Sequence, residues 1–390
     1  MKNLVQKFSE NYLVQFFVFF FINGICIYRY IPRIGVNPVI ASAVYIVFIL
    51  CLFFTYKKII NKLSDTIIKV LFYTIVSVVI ASIAFILIKV DPYSVNVDRW
   101  SAVSFFLDHL FQGQYPYSVS THMSETNFPS PFPVWHLIYL PFYLAGDVGI
   151  GLIFFLVFFL YLFQLRFQSY KKSLLFIILL ICSPTYWWEV FVRSDTLNNI
   201  FLVGGLILWF SHKKYSLENK FWLTVILCGL ITSTRLLAIL PLALFFFKPY
   251  TELSLKKKII FPLGVLFVAF ITFCPFIFWD TENWIFFSRN PLITQGLMGN
   301  IYILTVLVIL GIFLSLQWKD IIQFNAVTSL FLLVFFLSFN TYLVITSDTY
   351  FSLQETRIYD ISYFYLSMPF CLIAIIDKLK LENDSKTSYS

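Results

Sequence analysis

Residues 70–88, VLFYTIVSVVIASIAFILI, form a continuous apolar run without a single charged side chain. A helix of about 20 such residues crosses roughly 30 Å of hydrocarbon, so this run predicts a membrane-spanning helix. The same character extends over all 390 residues, because 59% are hydrophobic and only 12% are charged. A soluble globular chain is about 25% charged. The composition therefore excludes a soluble enzyme, a disordered protein and a nucleic-acid-binding domain.

Further apolar runs predict about 11 to 13 membrane-spanning helices in a single polytopic membrane domain over residues 1–390. The runs lack the alternation of apolar and polar residues expected of a membrane barrel, which favours an all-α integral membrane protein. Two runs are broken, 134–165 by Pro141, Gly146 and Asp147, and 221–247 by Arg235. The predicted helices are 11–28, 39–56, 70–90, 134–165, 173–189, 196–211, 221–247, 259–279, 301–317, 324–340 and 361–378.

The charged side chains predict the orientation of these helices, because basic residues are enriched in cytoplasmic loops. With both termini in the cytoplasm, 19 of the 20 lysines fall on the inside, whereas seven of the eight arginines lie outside. A guanidinium forms bidentate hydrogen bonds with phosphate and with carboxylates. These arginines therefore either bind an anionic ligand or pair with external Asp and Glu residues. The seven are Arg29, Arg33, Arg99, Arg193, Arg235, Arg289 and Arg357.

The longest segment on the predicted outer side is residues 91–133. Within it, residues 98–112 have an amphipathic pattern that predicts a helix lying at the membrane surface. Its apolar face is formed by Val103, Phe106, Leu107, Leu110 and Phe111. Two carboxylates, Asp91 and Asp98, lie at the start of this loop, just past a predicted helix end. An ionisable group at that depth is a candidate catalytic group, with a solvated loop acid or an ion-pair partner as the alternative.

A longer pattern surrounds Asp98. Asn96-Val97-Asp98 is followed by Trp100, then by Gly113-Gln114-Tyr115-Pro116-Tyr117, and then by Thr121-His122 and a proline-rich helix start. This order resembles that of polytopic glycosyltransferases of the GT-C type, in particular the GPI mannosyltransferase I catalytic subunit and its bacterial relatives. Two features depart from the family pattern. Asn96 stands where the family has a second aspartate, and the loop follows the third helix instead of the first.

The resemblance implies a GT-C-like fold, with residues 70–378 as the core, 11–56 as an extra N-terminal helix pair and 379–390 as a cytoplasmic tail. It implies an inverting enzyme that moves a hexose, mannose being the leading candidate, from a polyprenyl phosphate to an extracytoplasmic glycan or lipid-linked acceptor. It also implies that Asp98 is the general base that takes the proton of the acceptor hydroxyl, and Asp91 is the other catalytic candidate. Such a base contributes about 10²–10⁴ in rate.

The leaving phosphate of such a donor needs cations to stabilise it. Broken helices at membrane depth are tolerated where they line a cavity or pack in protein. Arg193 and Arg235 lie in such breaks and are therefore the preferred donor-phosphate residues, followed by Arg357 and then Arg289. The predicted substrate-binding residues are Asn96, Trp100, His109, Tyr117, His122 and Asp195, of which Trp100 and Tyr117 are expected to stack on sugar. No spacing of Cys, His and acidic residues indicates a metal site, and we expect no cofactor.

Two other functions fit parts of the sequence. A polysaccharide polymerase or ligase also uses external arginines, although such proteins usually carry their large loop late in the chain. A transporter or lipid flippase tends to show internal repeats and charges near the middle of helices. The early position of loop 91–133 and the lack of a repeat favour the glycosyltransferase. Its expected partners are the lipid-linked donor, the acceptor and the bilayer, and no nucleic acid.

Overall fold

The computed structural model of the chain describes residues 11–215, 217–286, 290–296, 300–346 and 360–377. This part of the chain is all-helical, with 82% helix and no strand. Six of its helices are long and apolar enough to cross a membrane, or up to seven if one bent pair counts as a single span. These helices are compatible with a multi-pass membrane protein, as the composition predicts. The other apolar helices are shorter than 18 residues, and fewer than 11 therefore meet the length of a complete span.

The described α-helices, in chain order, are α1 (Tyr12–Tyr30), α2 (Pro38–Ile59), α3 (Asp65–Lys89), α4 (Arg99–Phe111), α5 (Pro133–Leu144), α6 (Gly151–Phe167), α7 (Tyr170–Ile181), α8 (Pro184–Phe191), α9 (Asp195–His212), α10 (Phe221–Thr232), α11 (Ile239–Thr251), α12 (Leu255–Trp279), α13 (Thr281–Phe286), α14 (Pro291–Gly296), α15 (Ile301–Ser315), α16 (Ile321–Thr346) and α17 (Met368–Asp377). Side chains cap the N-terminal ends of several of these helices. The Asn37 side chain accepts hydrogen bonds from the backbone N–H groups at the start of α2, and Ser194 caps α9 in the same way.

Both predicted interruptions are confirmed, but the first falls at Gly146 and Asp147, and Pro141 lies inside a helix. The run 134–165 divides into α5 and α6, and the run 221–247 divides into α10 and α11, with a 3-10 turn at Leu236–Ala238 between them. The prediction of one helix over 173–189 is wrong, because α7 and α8 are bent by 70° where they meet. The break falls at Pro184, which has no N–H to donate and whose ring clashes with the preceding turn of a helix.

The predicted amphipathic helix is confirmed as α4, with Asp98 at its N-terminal cap position. Val103, Phe106 and Leu107 are fully buried, and α4 packs on α5 through this face. Phe111 is 57% exposed. Most of the apolar face is therefore covered by protein, where the sequence had predicted contact with the membrane surface.

The packing divides the chain into two compact units. Unit 1 comprises residues 1–82, 163–188 and 317–390, and unit 2 comprises residues 83–162 and 189–316. In unit 1, α17 packs against α1, α7 and α16, and α2 packs on α1. In unit 2, α10 and α12 pack closely through glycine. A Cβ atom at Gly229 would lie 2.6 Å from Val268 Cβ, and one at Gly264 would lie 2.7 Å from Val225 Cγ1. Small residues allow such close helix contacts within a membrane.

A buried asparagine of α1 holds the break between α7 and α8. The Asn23 Oδ1 atom accepts hydrogen bonds from Ser183 Oγ at 2.5 Å and from Thr185 Oγ1 at 3.1 Å. The backbone N–H of Thr185 lies 3.4 Å from the same oxygen. The first N–H groups of a helix have no partner within the helix, and a buried break must satisfy them elsewhere. Asn23 supplies that acceptor within unit 1.

We expect the substitution Asn23→Ala to lower the free energy of unfolding by about 1–3 kcal/mol, because it leaves buried donors without an acceptor. The measurement is thermal unfolding of the full chain in detergent. Thr305→Ala is the matched control, since Thr305 is exposed and bonds only to a carbonyl of its own helix. An equal effect of the two substitutions would contradict the role given to Asn23.

Candidate functional site

The predicted site residues within the described part of the chain all lie in unit 2. Loop 91–133 is ordered around α4 by short local elements. Asp91 caps a 3-10 turn at Pro92–Ser94, where its Oδ1 atom accepts from Tyr93 N at 3.0 Å. The loop then turns back on itself, since Thr121 N donates to Asn127 O at 2.8 Å. This return brings the 121–127 segment next to the start of α4.

Asp98 has a half-exposed carboxylate within reach of the returning segment. Its Oδ2 atom accepts from Thr121 Oγ1 at 3.2 Å and from Asn127 Nδ2 at 3.3 Å. Its side chain makes no capping bond to α4. Among the described residues no cation lies within ion-pair distance of Asp98, and its Oδ1 atom accepts no hydrogen bond. The carboxylate is thus oriented by two neutral donors and keeps one oxygen available.

His122, in the returning segment, contacts one residue before Asp98 in the chain and one residue after it. Its Nε2 atom lies 3.1 Å from Val95 O, and its Nδ1 atom lies 2.6 Å from Ser101 Oγ. A carbonyl oxygen only accepts, so Nε2 carries a proton. The single hydroxyl proton of Ser101 has two acceptors within reach, His122 Nδ1 and Asp98 O, the latter at 3.0 Å. Ser101 is fully buried. The pair therefore positions the loop and is not placed to act as a nucleophile.

An aromatic cluster lies beside this histidine. Tyr93 contacts Trp100 at 5.1 Å and His122 at 5.8 Å between ring centroids, in both cases edge to face. Trp100 is half-buried and donates from Nε1 to Asp147 Oδ1 at 3.0 Å. Tyr93 is 57% exposed and is the most open ring of the three. Sequence reasoning missed it, although its position five residues before Asp98 was a usable signal.

Arg193 is bound on several sides by protein. Its Nη1 atom donates to Asp147 Oδ2 at 2.5 Å, and its Nη2 atom donates to Leu87 O at 2.8 Å and to Val90 O at 2.7 Å. These two carbonyls end helix α3, where a cation interacts favourably with the helix dipole. Burial lowers the pKa of the Arg193 guanidinium below its ordinary value, and the Asp147 carboxylate opposes that shift. Arg193 has a backbone φ of +51°, a left-handed conformation that side chains rarely adopt.

Arg235 forms the second predicted arginine site, and it too is paired internally. Its Nε atom lies 2.9 Å from Asp195 Oδ2, and its Nη2 atom donates to the same oxygen. Trp135 Nε1 adds a third donor at 2.8 Å. Asp195 is only 1% exposed. This differs from the predicted substrate-binding role of Asp195, because the helix break turns its carboxylate inward towards Arg235.

A third pair was not predicted. Arg99, the first residue of α4, donates from Nη1 to Glu189 Oε2 at 3.3 Å and to Ser194 Oγ at 2.7 Å. Both members of the ion pair are buried. The three described arginines of unit 2 are therefore each neutralised by a carboxylate. Pairing with an acid was the alternative to a phosphate-binding role for Arg193 and Arg235, and the geometry follows that alternative.

The remaining predicted site residues that the structure describes form no hydrogen bond with Asp98. Tyr117 is 1% exposed and packs against Phe106 and Phe276, so the expected stacking on sugar is not what its position provides. Burial raises the pKa of the Tyr117 phenol well above its ordinary value, which keeps it neutral. His109 Nδ1 lies 3.2 Å from Phe105 O of its own helix, and Asn96 is exposed. Arg289 and Arg357 lie outside the described residues.

Sequence reasoning also missed a buried histidine. The His136 ring stacks on Phe106 with a centroid separation of 3.5 Å and an interplanar angle of 7°. Its Nε2 atom lies 3.1 Å from Pro131 O, and its Nδ1 atom is buried without a hydrogen-bond partner in the described structure. The searched part of the chain contains no group of three His, Cys, Asp or Glu residues that could hold a metal ion.

No protein-family model, curated protein or solved structure matches the chain. The case for a function therefore rests on the residues of unit 2 and on their geometry.

We expect Asp195→Asn to cost about 3–5 kcal/mol of stability, because it leaves the Arg235 guanidinium buried without a counter-charge. The double variant D195L/R235M should recover a large part of that loss, since apolar replacement of a buried ion pair is often close to neutral. Recovery stays incomplete because Trp135 also loses its acceptor. Unfolding of the three proteins in detergent measures this. A double variant as unstable as D195N would show that packing, and not charge, accounts for the cost.

Proposed function

We propose that the chain is an integral-membrane glycosyltransferase of the GT-C type, with Asp98 as its general base. One observation carries the proposal. Asp147, Glu189 and Asp195 of the same unit are each paired with an arginine, whereas Asp98 has no cation within ion-pair distance among the described residues. A carboxylate neutralised by a guanidinium is a weak proton acceptor. Asp98 is half-exposed and outside these ion pairs, as a general base needs to be.

The transfer reaction follows from that position. The acceptor hydroxyl oxygen attacks C1 of the donor sugar from the face opposite the phosphate, and the bond between C1 and the phosphate oxygen breaks. Asp98 takes the hydroxyl proton as the new bond forms, and the electron pair leaves with the polyprenyl phosphate. The product has inverted configuration at C1. Thr121 and Asn127 fix Oδ2 by hydrogen bonds, so the acceptor proton goes to Oδ1.

Substrate recognition in this proposal uses the aromatic cluster beside Asp98. Tyr93 offers the exposed ring, and Trp100 supports it while anchored to Asp147. Apolar faces of hexoses stack on aromatic rings of this kind, so Tyr93 joins Trp100 as a sugar-contacting residue. His122 positions the loop that carries Thr121.

The donor phosphate needs a cation that is not already neutralised. Arg193 and Arg235 are committed to internal carboxylates. Arg357 and Arg289 therefore take over as the proposed donor-phosphate residues, on the basis of residue type and predicted outer position. The polyprenyl chain stays in the bilayer, and the acceptor glycan or lipid-linked sugar approaches from the extracytoplasmic side.

We expect Asp98→Asn to lower the transfer rate by about 10²–10⁴ without unfolding the protein, because it removes the base and keeps the shape of the side chain. The assay follows labelled mannose or glucose from its polyprenyl phosphate to membrane-extract acceptors, with the full chain in proteoliposomes. Glu125→Gln is the matched control, since Glu125 is an exposed acid of the same loop.

Full activity of D98N would overturn the assignment of the base. Wild-type protein that is stabilised by the lipid-linked sugar and transfers none of it would overturn the glycosyltransferase proposal and favour the transporter. The unfolding midpoint of D98N, compared with that of the wild type, separates loss of the base from loss of the fold.

A further inference from the structure

Arg29 and Arg33 of unit 1 differ in their pairing from the described arginines of unit 2. In unit 2 the described arginines each have a carboxylate partner, whereas Arg29 and Arg33 of unit 1 have none within ion-pair distance among the described residues. Arg29 Nε is buried and has no hydrogen-bond partner in the described part of the chain. Arg33 is exposed and Arg29 is half-buried, and the Asp360 carboxylate acts electrostatically on Tyr30 without forming an ion pair with either arginine in the described structure. A half-buried guanidinium without an ion-pair partner next to a membrane favours binding of an anion. These two residues are therefore the arginines to examine for a ligand.

Arg29 and Arg33 converge on one aromatic ring. The Cζ atoms of Arg29 and Arg33 lie 5.8 Å and 4.9 Å from the centroid of the Tyr30 ring. Tyr30 in turn stacks on Trp188, with centroids 4.1 Å apart. Arg29 lies in the last turn of α1, and Arg33 lies in the 3-10 turn that follows. Both guanidinium groups lie within 5.8 Å of the centre of one ring, and guanidinium donors form strong hydrogen bonds with phosphate oxygen atoms.

The surface next to these arginines is apolar and open. Ile34 is 72% exposed at the end of the turn, and Val39 and Ile40 are exposed at the start of α2. Only 11% of the apolar window of the span that contains α2 is buried inside the protein. A helix that exposes apolar side chains along most of its length is covered by hydrocarbon in a bilayer. Two cationic side chains thus lie next to an exposed apolar surface at this end of the α1–α2 hairpin.

We infer that Arg29 and Arg33 bind the phosphate of an anionic bilayer phospholipid, whose acyl chains lie along the exposed face of α2. The ligand needs a negative headgroup for the guanidinium groups and hydrocarbon for Ile34, Val39 and Ile40. A soluble phosphate compound lacks the hydrocarbon, and a zwitterionic lipid offsets its phosphate with a positive group. The site is independent of Asp98 and of glycosyl transfer.

The test is native mass spectrometry of the detergent-purified full chain, titrated with phosphatidylglycerol or phosphatidylcholine of the same acyl chains. We expect the first phosphatidylglycerol to bind about 10-fold more tightly than phosphatidylcholine, and the variant R29Q/R33Q to lose that preference. R29K/R33K should retain part of it, because lysine keeps the charge but not the planar fork. K57Q/K58Q is the matched control, with the same loss of charge at the other end of α2.

Three results would overturn the inference. One is a preference for phosphatidylglycerol that survives R29Q/R33Q, and another is an equal loss in K57Q/K58Q. The third is tight binding of a polyprenyl monophosphate at these arginines without any preference for phosphatidylglycerol, which would assign them to the sugar carrier. The unfolding midpoint of R29Q/R33Q shows whether a lost preference reflects the site or the fold.

Discussion

A guanidinium that leaves water needs a negatively charged partner, and unit 2 meets that requirement with carboxylates. Arg99 at the start of α4 pairs with Glu189, Arg193 pairs with Asp147, and Arg235 pairs with Asp195. Each pair joins segments that are 40 to 90 residues apart in the chain. Removing one partner of such a pair leaves an isolated buried charge, which is far more costly than removing both. The pairs therefore fix how the outer loop and the two helix breaks of unit 2 fit together.

The ion pairs also distinguish the acids that stabilise the fold from the acids that are available for catalysis. Three carboxylates of unit 2 form ion pairs with arginines, and Asp108 accepts a hydrogen bond from Tyr143 at 2.5 Å. Asp98 remains with two neutral donors and a free oxygen. A group that stabilises the fold through an ion pair has little capacity left for catalysis, because any reaction that changed its charge would also strain the fold. The separation distinguishes Asp98 from the three paired acids of its unit.

Helix breaks in this chain are satisfied by polar side chains from elsewhere in the same unit. Asn23 accepts hydrogen bonds at the break before α8, and the Gln295 side chain accepts from Leu236 N at 2.7 Å beside Arg235. Hydrocarbon offers no hydrogen bonds to an open backbone, so each interruption within an apolar bundle needs such a partner. The breaks are consequently the places where polar and charged residues gather within each unit.

The apolar runs alone predicted the all-helical structure of the described residues and helices long enough to span a membrane, because the hydrocarbon thickness sets a minimum length that the sequence displays directly. The breaks at Gly146–Asp147 and at Arg235 and the amphipathic helix at 99–111 were also predictable, since glycine and charge interrupt a run and helical periodicity marks a face. Which acid each arginine meets was decided by the tertiary structure. Arg99–Glu189 and Arg193–Asp147 are contacts between distant segments, and nothing local to either residue encodes the partner. The burial of Tyr117 and Asp195, and the open oxygen of Asp98, follow from the same long-range packing.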